Sequence, residues 1–299
     1  MSVDTLIKTT FSDAFRDELW EDLSAGKLMV PDFKKNVKFG DEVDVQFHGT
    51  IQLLDYDGSD LDLSDVTIID TTTVKVKIDN GKAVFFKMNE QQVRQIESKK
   101  TNEEKYKLVR EYTADAREQF ARVINKACCE QYVRAGHKIT GANNSAITLS
   151  KTNMADLFAK AKIELKAGDG KGHTAWSDNN MIAVVSSEME AFMSTQNLLM
   201  YSDVMAKHYK KGFAGQFLGF NVIVDDNICT DTDGYQYPLF GRAGHTLAGG
   251  VQDDFQLESD KKVGGFDTYY WGKGVFGVKL PLAYLLCTAK VSANFTIGQ

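Results

Sequence analysis

Glycine spacing is the first pattern in the 299-residue chain that could do chemistry. Gly168, Gly170 and Gly172 stand two residues apart, as in a loop whose backbone cradles phosphate. The dinucleotide fingerprint, however, needs Gly-x-Gly-x-x-Gly between a strand and a helix, and these three follow a helical stretch. Gly272-Lys273-Gly274 lacks the Ser or Thr whose hydroxyl a P-loop places on its metal. Both read as solvated turns. Ser186 and Ser187 follow an apolar run, the setting of a nucleophile elbow, but Gly-x-Ser-x-Gly is missing and serine is a preferred helix N-cap.

The acidic stretch Asp55, Asp57, Asp60, Asp62 and Asp65 offers the oxygens that calcium prefers. Its glycine is Gly58, and Val66 occupies the place where a helix-loop-helix site needs Glu, so a solvated hairpin end is the better reading. The five histidines, His48, His137, His173, His208 and His245, are scattered, and none is spaced as in metalloprotease helices. Cys128 and Cys129 adjoin while Cys229 and Cys287 stand alone, with no Cys-x-x-Cys pair, which suits packed reduced thiols and not zinc. No catalytic residue, metal or cofactor is expected.

The elements around these residues are easier to read. Phe11, Phe15, Leu19 and Leu23 recur every fourth position and predict a short amphipathic helix ending near Gly26, followed by an extended exit through Leu28 to Pro31. Val43, Val45, Phe47, Ile51 and Leu53 alternate with polar residues, and Val74, Val76 and Ile78 alternate with Lys75 and Lys77. A hairpin with an acidic tip follows from that period of two. A two-stranded ribbon is marginal alone in water, so something must cover it. From Thr101 to Ala135, Val109, Tyr112, Ala116, Phe120, Val123 and Ala127 predict one helix of about 35 residues, or about 52 Å.

Farther on, Met154, Leu157, Phe158, Ala161 and Leu165 predict the buried side of a helix from Asn153 to Lys166. Met181 to Val185 predicts a strand leading through Ser186 and Ser187 into a helix with Met189, Phe192 and Met193. Gly212, Gly215 and Gly219 punctuate a hairpin delivering Phe220, Val222 and Val224, and Val275 to Lys279 and Leu282 to Leu286 predict closing strands. The tip carboxylates Asp55, Asp57, Asp60 and Asp62 repel one another unless a basic surface faces them. Lys99, Lys100, Lys105 and Lys107, at the start of the long helix of a neighbouring copy, are the expected facing surface.

The order of these segments resembles the major capsid proteins of tailed bacteriophages. Phe11 to Val30 is similar to the N-terminal arm, and Phe39-Gly40-Asp41-Glu42-Val43 with His48-Gly49-Thr50-Ile51 to the leading strand of the extended loop. Val84-Phe85-Phe86-Lys87-Met88 and the following helix resemble the return strand and spine helix. Ala183 to Ser187, Gly212 to Gly215 and Leu218 to Val222 resemble the axial domain, and Tyr269 to Ala289 the closing strands. The resemblance implies an α+β fold: an N-terminal arm at 1–36, an extended hairpin loop at 37–88, a peripheral domain with the spine helix at 89–150, a mixed α/β axial domain at 151–250, and closing strands at 251–299.

It also implies a structural protein, not an enzyme, forming pentamers and hexamers of an icosahedral head around double-stranded DNA, with portal and separate scaffolding proteins as partners. Assembly in the bacterial cytoplasm and residence in the virion follow from it. Some members weld neighbours through a loop lysine, but the tip from Asp55 to Asp70 has none. The alternatives are an encapsulin-like nanocompartment shell and a cytosolic α/β hydrolase using Ser186 or Ser187.

Composition agrees. Lys and Arg number 35 and Asp and Glu 41, a net charge of −6, with no basic tail, which disfavours tight phosphate-backbone binding. With 43% hydrophobic residues and only 3 prolines, the chain is neither disordered nor collagen-like. No apolar run approaches the roughly 20 residues that span a bilayer, and no signal-peptide core is evident.

Overall fold

The computed structural model describes residues 19–34, 38–48, 71–99, 101–170, 174–178, 180–201, 212–252, 257–261 and 268–292. Residues 19–22 are helical and Ala25–Leu28 form a 3-10 turn. The strands β1 (Met29–Lys34), β2 (Glu42–His48), β3 (Thr71–Lys77) and β4 (Asn80–Met88) precede helices α1 (Glu90–Ser98) and α2 (Asn102–Cys129). Next come β5 (His137–Ile139), β6 (Ile147–Thr148), α3 (Lys151–Ala167), β7 (Met181–Val185) and α4 (Ser187–Thr195). The remainder is strands: β8 (Phe213–Phe217), β9 (Phe220–Val224), β10 (Tyr235–Gln236), β11 (Leu239–Arg242), β12 (Leu247–Gln252), β13 (Leu257–Lys261), β14 (Thr268–Lys279), β15 (Cys287–Ala289) and β16 (Val291–Ser292).

Local chemistry sets the helix starts. Thr101 and Glu104 form a reciprocal capping box at α2, as do Asn89 and Gln92 at α1, while Ser150 and Ser186 cap α3 and α4 through their hydroxyls. The predicted helix from Thr101 to Ala135 is shorter than expected. Its α-helical part is 28 residues, and Glu130–Arg134 tighten into a 3-10 turn. Tertiary contacts explain the change, because Tyr132 stacks on Tyr237 at 4.4 Å and the Gln131 side chain accepts the Leu280 N–H. The predicted strand at Leu282 to Leu286 is also corrected. Ala283–Leu285 make a 3-10 turn, since the Ala283 carbonyl accepts the Gly136 N–H, and the strand starts at Cys287.

Two larger sheets organise the molecule. A six-stranded sheet runs β5-β15-β11-β7-β9-β8, and a five-stranded sheet runs β1-β12-β14-β13, with β4 paired along the length of β14. One face of the six-stranded sheet packs on α3 and α4, where Phe158 meets Phe217, Phe220 and Phe240 edge-on at centroid distances of 5.0, 5.7 and 5.1 Å. Its other face joins α2, the 19–29 segment and the five-stranded sheet in one core containing Phe120, Ile124, Ile182, Val184, Leu247 and Phe276. The buried Asp225 carboxylate ties residues 24–25 to the turn after β9, accepting from the Ser24 hydroxyl and the Ala25 N–H. From α2, the Asn125 side chain accepts the N–H groups of Ser24 and Gly26 at 3.1 and 3.0 Å.

Candidate assembly surface

The five-stranded sheet has one face on the α2 core and one face turned away from it. Along β12, Leu247 and Val251 join the α2 core, while Ala248 points to the opposite side; along β14, Phe276 and Val278 divide from Val275 in the same way. The outward face is the part of the molecule that must find cover.

Its lower half is closed by the ribbon of β2 and β3. Their register pairs Val43 with Val76 and Val45 with Val74, putting these side chains and Ile78 on one face. Val43, Val45, Val76 and Ile78 pack with Ala248 and Val275 in a separate small core, and each is 3% exposed or less. Glycine permits this approach. Gly250 and Gly277 are direct partners across β12 and β14; a Cβ on Gly250 would lie 2.9 Å from Ile78 Cδ1, and one on Gly277 would lie 2.1 Å from the Lys77 carbonyl oxygen. Lys279 Nζ reaches over to the Lys75 carbonyl at 3.1 Å. The root of the hairpin is thus covered by its own chain, which supplies the cover that a marginal two-stranded ribbon needs.

The upper half of the same face is open. Phe85, opposite Trp271 in the register, is 68% exposed, and its ring stacks on Tyr269 at 6.0 Å. Trp271 donates through Nε1 to Glu258 on β13 at 2.8 Å. Ala83, Lys87 and Lys273 are exposed around these rings, and Phe39, 66% exposed, lies against Gly81 at the border between the halves. Sequence reasoning missed these aromatics. An apolar run such as Val84-Phe85-Phe86 signals a strand but not which of its faces stays in water.

The anticipated charge pair is half visible. Lys99 is the exposed C-cap residue of α1, and Lys105 and Lys107 lie in the first turns of α2, half-buried and exposed respectively. Asp55, Asp57, Asp60, Asp62 and Lys100 lie outside the described residues.

The candidates for chemistry fall into structural roles. Ser186 caps α4 and donates to the Gln236 side chain, and Ser187 bonds to Asp226; none of those groups is a histidine base for a hydrolase. His137 meets Glu164 at 2.9 Å, fastening β5 to α3. Burial pushes the Cys229 thiol up to about 11, and burial with the nearby Asp225 charge also raises Cys128 and Cys129 well above the ordinary thiol range, which disfavours the reactive thiolate near neutrality. Among the described residues, no three His, Cys, Asp or Glu side chains are placed to hold a metal, and no helix is long and apolar enough to cross a membrane.

No protein-family model and no curated protein matches the sequence. Solved structures do match in fold. The capsid of Ralstonia phage GP4 has a TM-score of 0.61 at 12% identity, covering 93% of each chain. The head structure of Helicobacter pylori bacteriophage KHP40 has 0.59 at 8% identity, covering 93% of this chain and 91% of the other. The fold is that of tailed-phage capsid proteins. The holo-SrpI encapsulin complex from Synechococcus elongatus shares it, with a TM-score of 0.55 at 10% identity over 91% and 89% of the two chains. The shared fold thus extends over almost the whole chain, and the ribbon root, the open aromatic half-face and α2 all lie within it.

Proposed function

We propose that the chain is a structural shell subunit whose copies assemble as pentamers and hexamers into the icosahedral head of a tailed phage enclosing double-stranded DNA. The observation that carries this reading is the capsid fold itself, matched over 93% of both chains. The less covered half-face supports it, because Phe85 is 68% exposed and stands with the half-buried Tyr269 and Trp271, an apolar surface of the kind that association buries. Head-to-tail contacts close into rings when the rotation closes, and many modest contacts then act together.

In the assembled head, Asp55, Asp57, Asp60 and Asp62 of one copy face Lys99, Lys100, Lys105 and Lys107 of another. Portal and scaffolding proteins complete assembly in the host cytoplasm, and the net charge of −6 keeps packed DNA from adhering to the wall.

Size-exclusion chromatography and electron microscopy of the expressed protein test the reading. Rings or closed particles are expected, and a monomer or small oligomer at every salt concentration tried would overturn it. A second reading, a nanocompartment shell, draws on the likeness to the encapsulin complex. Particle contents separate the two: nucleic acid from an infected host for a head, a co-purifying enzyme for a compartment.

A further inference from the structure

We infer that the paired glycines Gly250 and Gly277 form a seat that fixes the direction of the hairpin ribbon in the free subunit, so that the arm is aimed before any neighbour arrives. The consequence for assembly rests on the shell reading; the seat itself does not.

Three sets of contacts define the seat. The first is backbone on backbone: the Lys77 carbonyl lies so close over Gly277 that a methyl group there would sit 2.1 Å from its oxygen. No rotamer change relieves that contact, so the ribbon itself would have to rise by roughly 1 Å or more to reach an ordinary separation of about 3.5 Å. The second is side chain on backbone: Ile78 and Val43 rest over Gly250, at 2.9 and 3.2 Å from the position of an added Cβ. The third set is at the root: Gly40 N–H donates to the Ile78 carbonyl and Ile78 N–H to the Asp41 carbonyl, both at 2.8 Å, closing the ribbon's two strands on each other, and Lys279 Nζ of β14 donates to the Lys75 carbonyl.

These contacts lie at one end of the ribbon and on one of its faces. On the opposite face Asp44, Thr73, Lys75 and Lys77 are exposed. A ribbon held by one face at one end behaves as a lever: its register comes from the β2–β3 ladder, but its angle to the body comes from how deeply it sits on the two glycines. Raising the seat tilts β2 and β3 against the sheet. The two substitutions should differ in kind, because Gly277→Ala meets backbone whereas Gly250→Ala meets the far end of an isoleucine that valine would shorten.

The test is hydrogen exchange on unassembled subunits, followed by assembly. In the wild type, amides within 43–47 and 73–78 should exchange as slowly as those of β12 and β14. Gly277→Ala should accelerate them at least tenfold while leaving β7 and β9 unchanged. Gly250→Ala should give a smaller acceleration that Ile78→Val, added to it, largely reverses; this pair keeps the inference testable if Gly277→Ala does not fold. Fast exchange of these amides in the wild type, or unchanged exchange in both glycine variants, would overturn the seat.

Folded Gly277→Ala subunits should give open or irregular shells. If they close into wild-type shells, the aiming role falls while the shell reading stands. If the wild type itself forms no particles, the shell reading falls, and the exchange data alone decide the seat.

Discussion

The two halves of the outward sheet face share the long strand β14, joined by β12 in the lower half and by β4 in the upper, yet they meet water differently. In the lower half the strands carry Ala248, Gly250, Val275 and Gly277, and a ribbon from the same chain closes over them. In the upper half they carry Phe85, Tyr269 and Trp271, and the rings stand in solvent or half in it. Small residues let two backbones of one molecule approach, whereas large rings project beyond the sheet and offer area to another molecule. The first arrangement stabilises the free chain; under the proposed shell reading, the second waits for a neighbouring surface.

Substitutions should separate the halves accordingly, and the largest effect on the isolated subunit belongs to the lower one. Ile78→Ala empties a fully buried site and should cost about 2–4 kcal/mol in urea unfolding of the unassembled subunit. In the upper half, Phe85→Ser should shift subunit stability by only about 0.5 kcal/mol, as usual for exposed positions, while raising the concentration at which particles appear in light scattering. Equal loss of stability from the two changes would erase the distinction. Lys279→Met removes one hydrogen bond from the ribbon's end and should cost about 0.5–1.5 kcal/mol in the same unfolding experiment.

Neutralising Asp55, Asp57, Asp60 and Asp62 together to Asn should leave subunit stability near wild type, slow assembly and flatten its salt dependence; unchanged low-salt assembly would remove the proposed pairing with Lys99, Lys100, Lys105 and Lys107. The smallest effect is expected from Lys75→Ala. Its ion pair with Glu42 is 3.6 Å long and largely exposed, so a change of no more than about 0.5 kcal/mol should follow.

What could be read without coordinates follows from the range of the forces involved. The alternation of Val43, Val45, Val74 and Val76 exposes a ribbon face, and Met154, Leu157, Phe158, Ala161 and Leu165 are the buried stripe of α3, because both patterns are written in neighbouring residues. Where the ribbon face would go was not legible: its seat lies some two hundred residues away, and nothing local in Gly250 or Gly277 distinguishes a seat from a turn. Nothing local marks Asp225 either, although its carboxylate holds Ser24 and Ala25 from two hundred residues away. Leu282 to Leu286 looked like a strand by composition, and only the contact of Ala283 with Gly136 turns it aside. The open aromatics were hidden for a related reason, since strand periodicity separates two faces without naming the wet one.

The pairing of β1 with β12 also bears on how the molecule is made. Met29 lies parallel to Leu247, and β4 waits for β14, so neither early strand has its sheet partner until most of the polypeptide has left the ribosome. At synthesis rates of about 5–20 residues per second, that delay is on the order of ten to forty seconds. During it, the nascent apolar stretch around Leu23, Leu28 and Met29 is a natural client for chaperones, and the sheet that later carries the ribbon can be completed only after synthesis is nearly done.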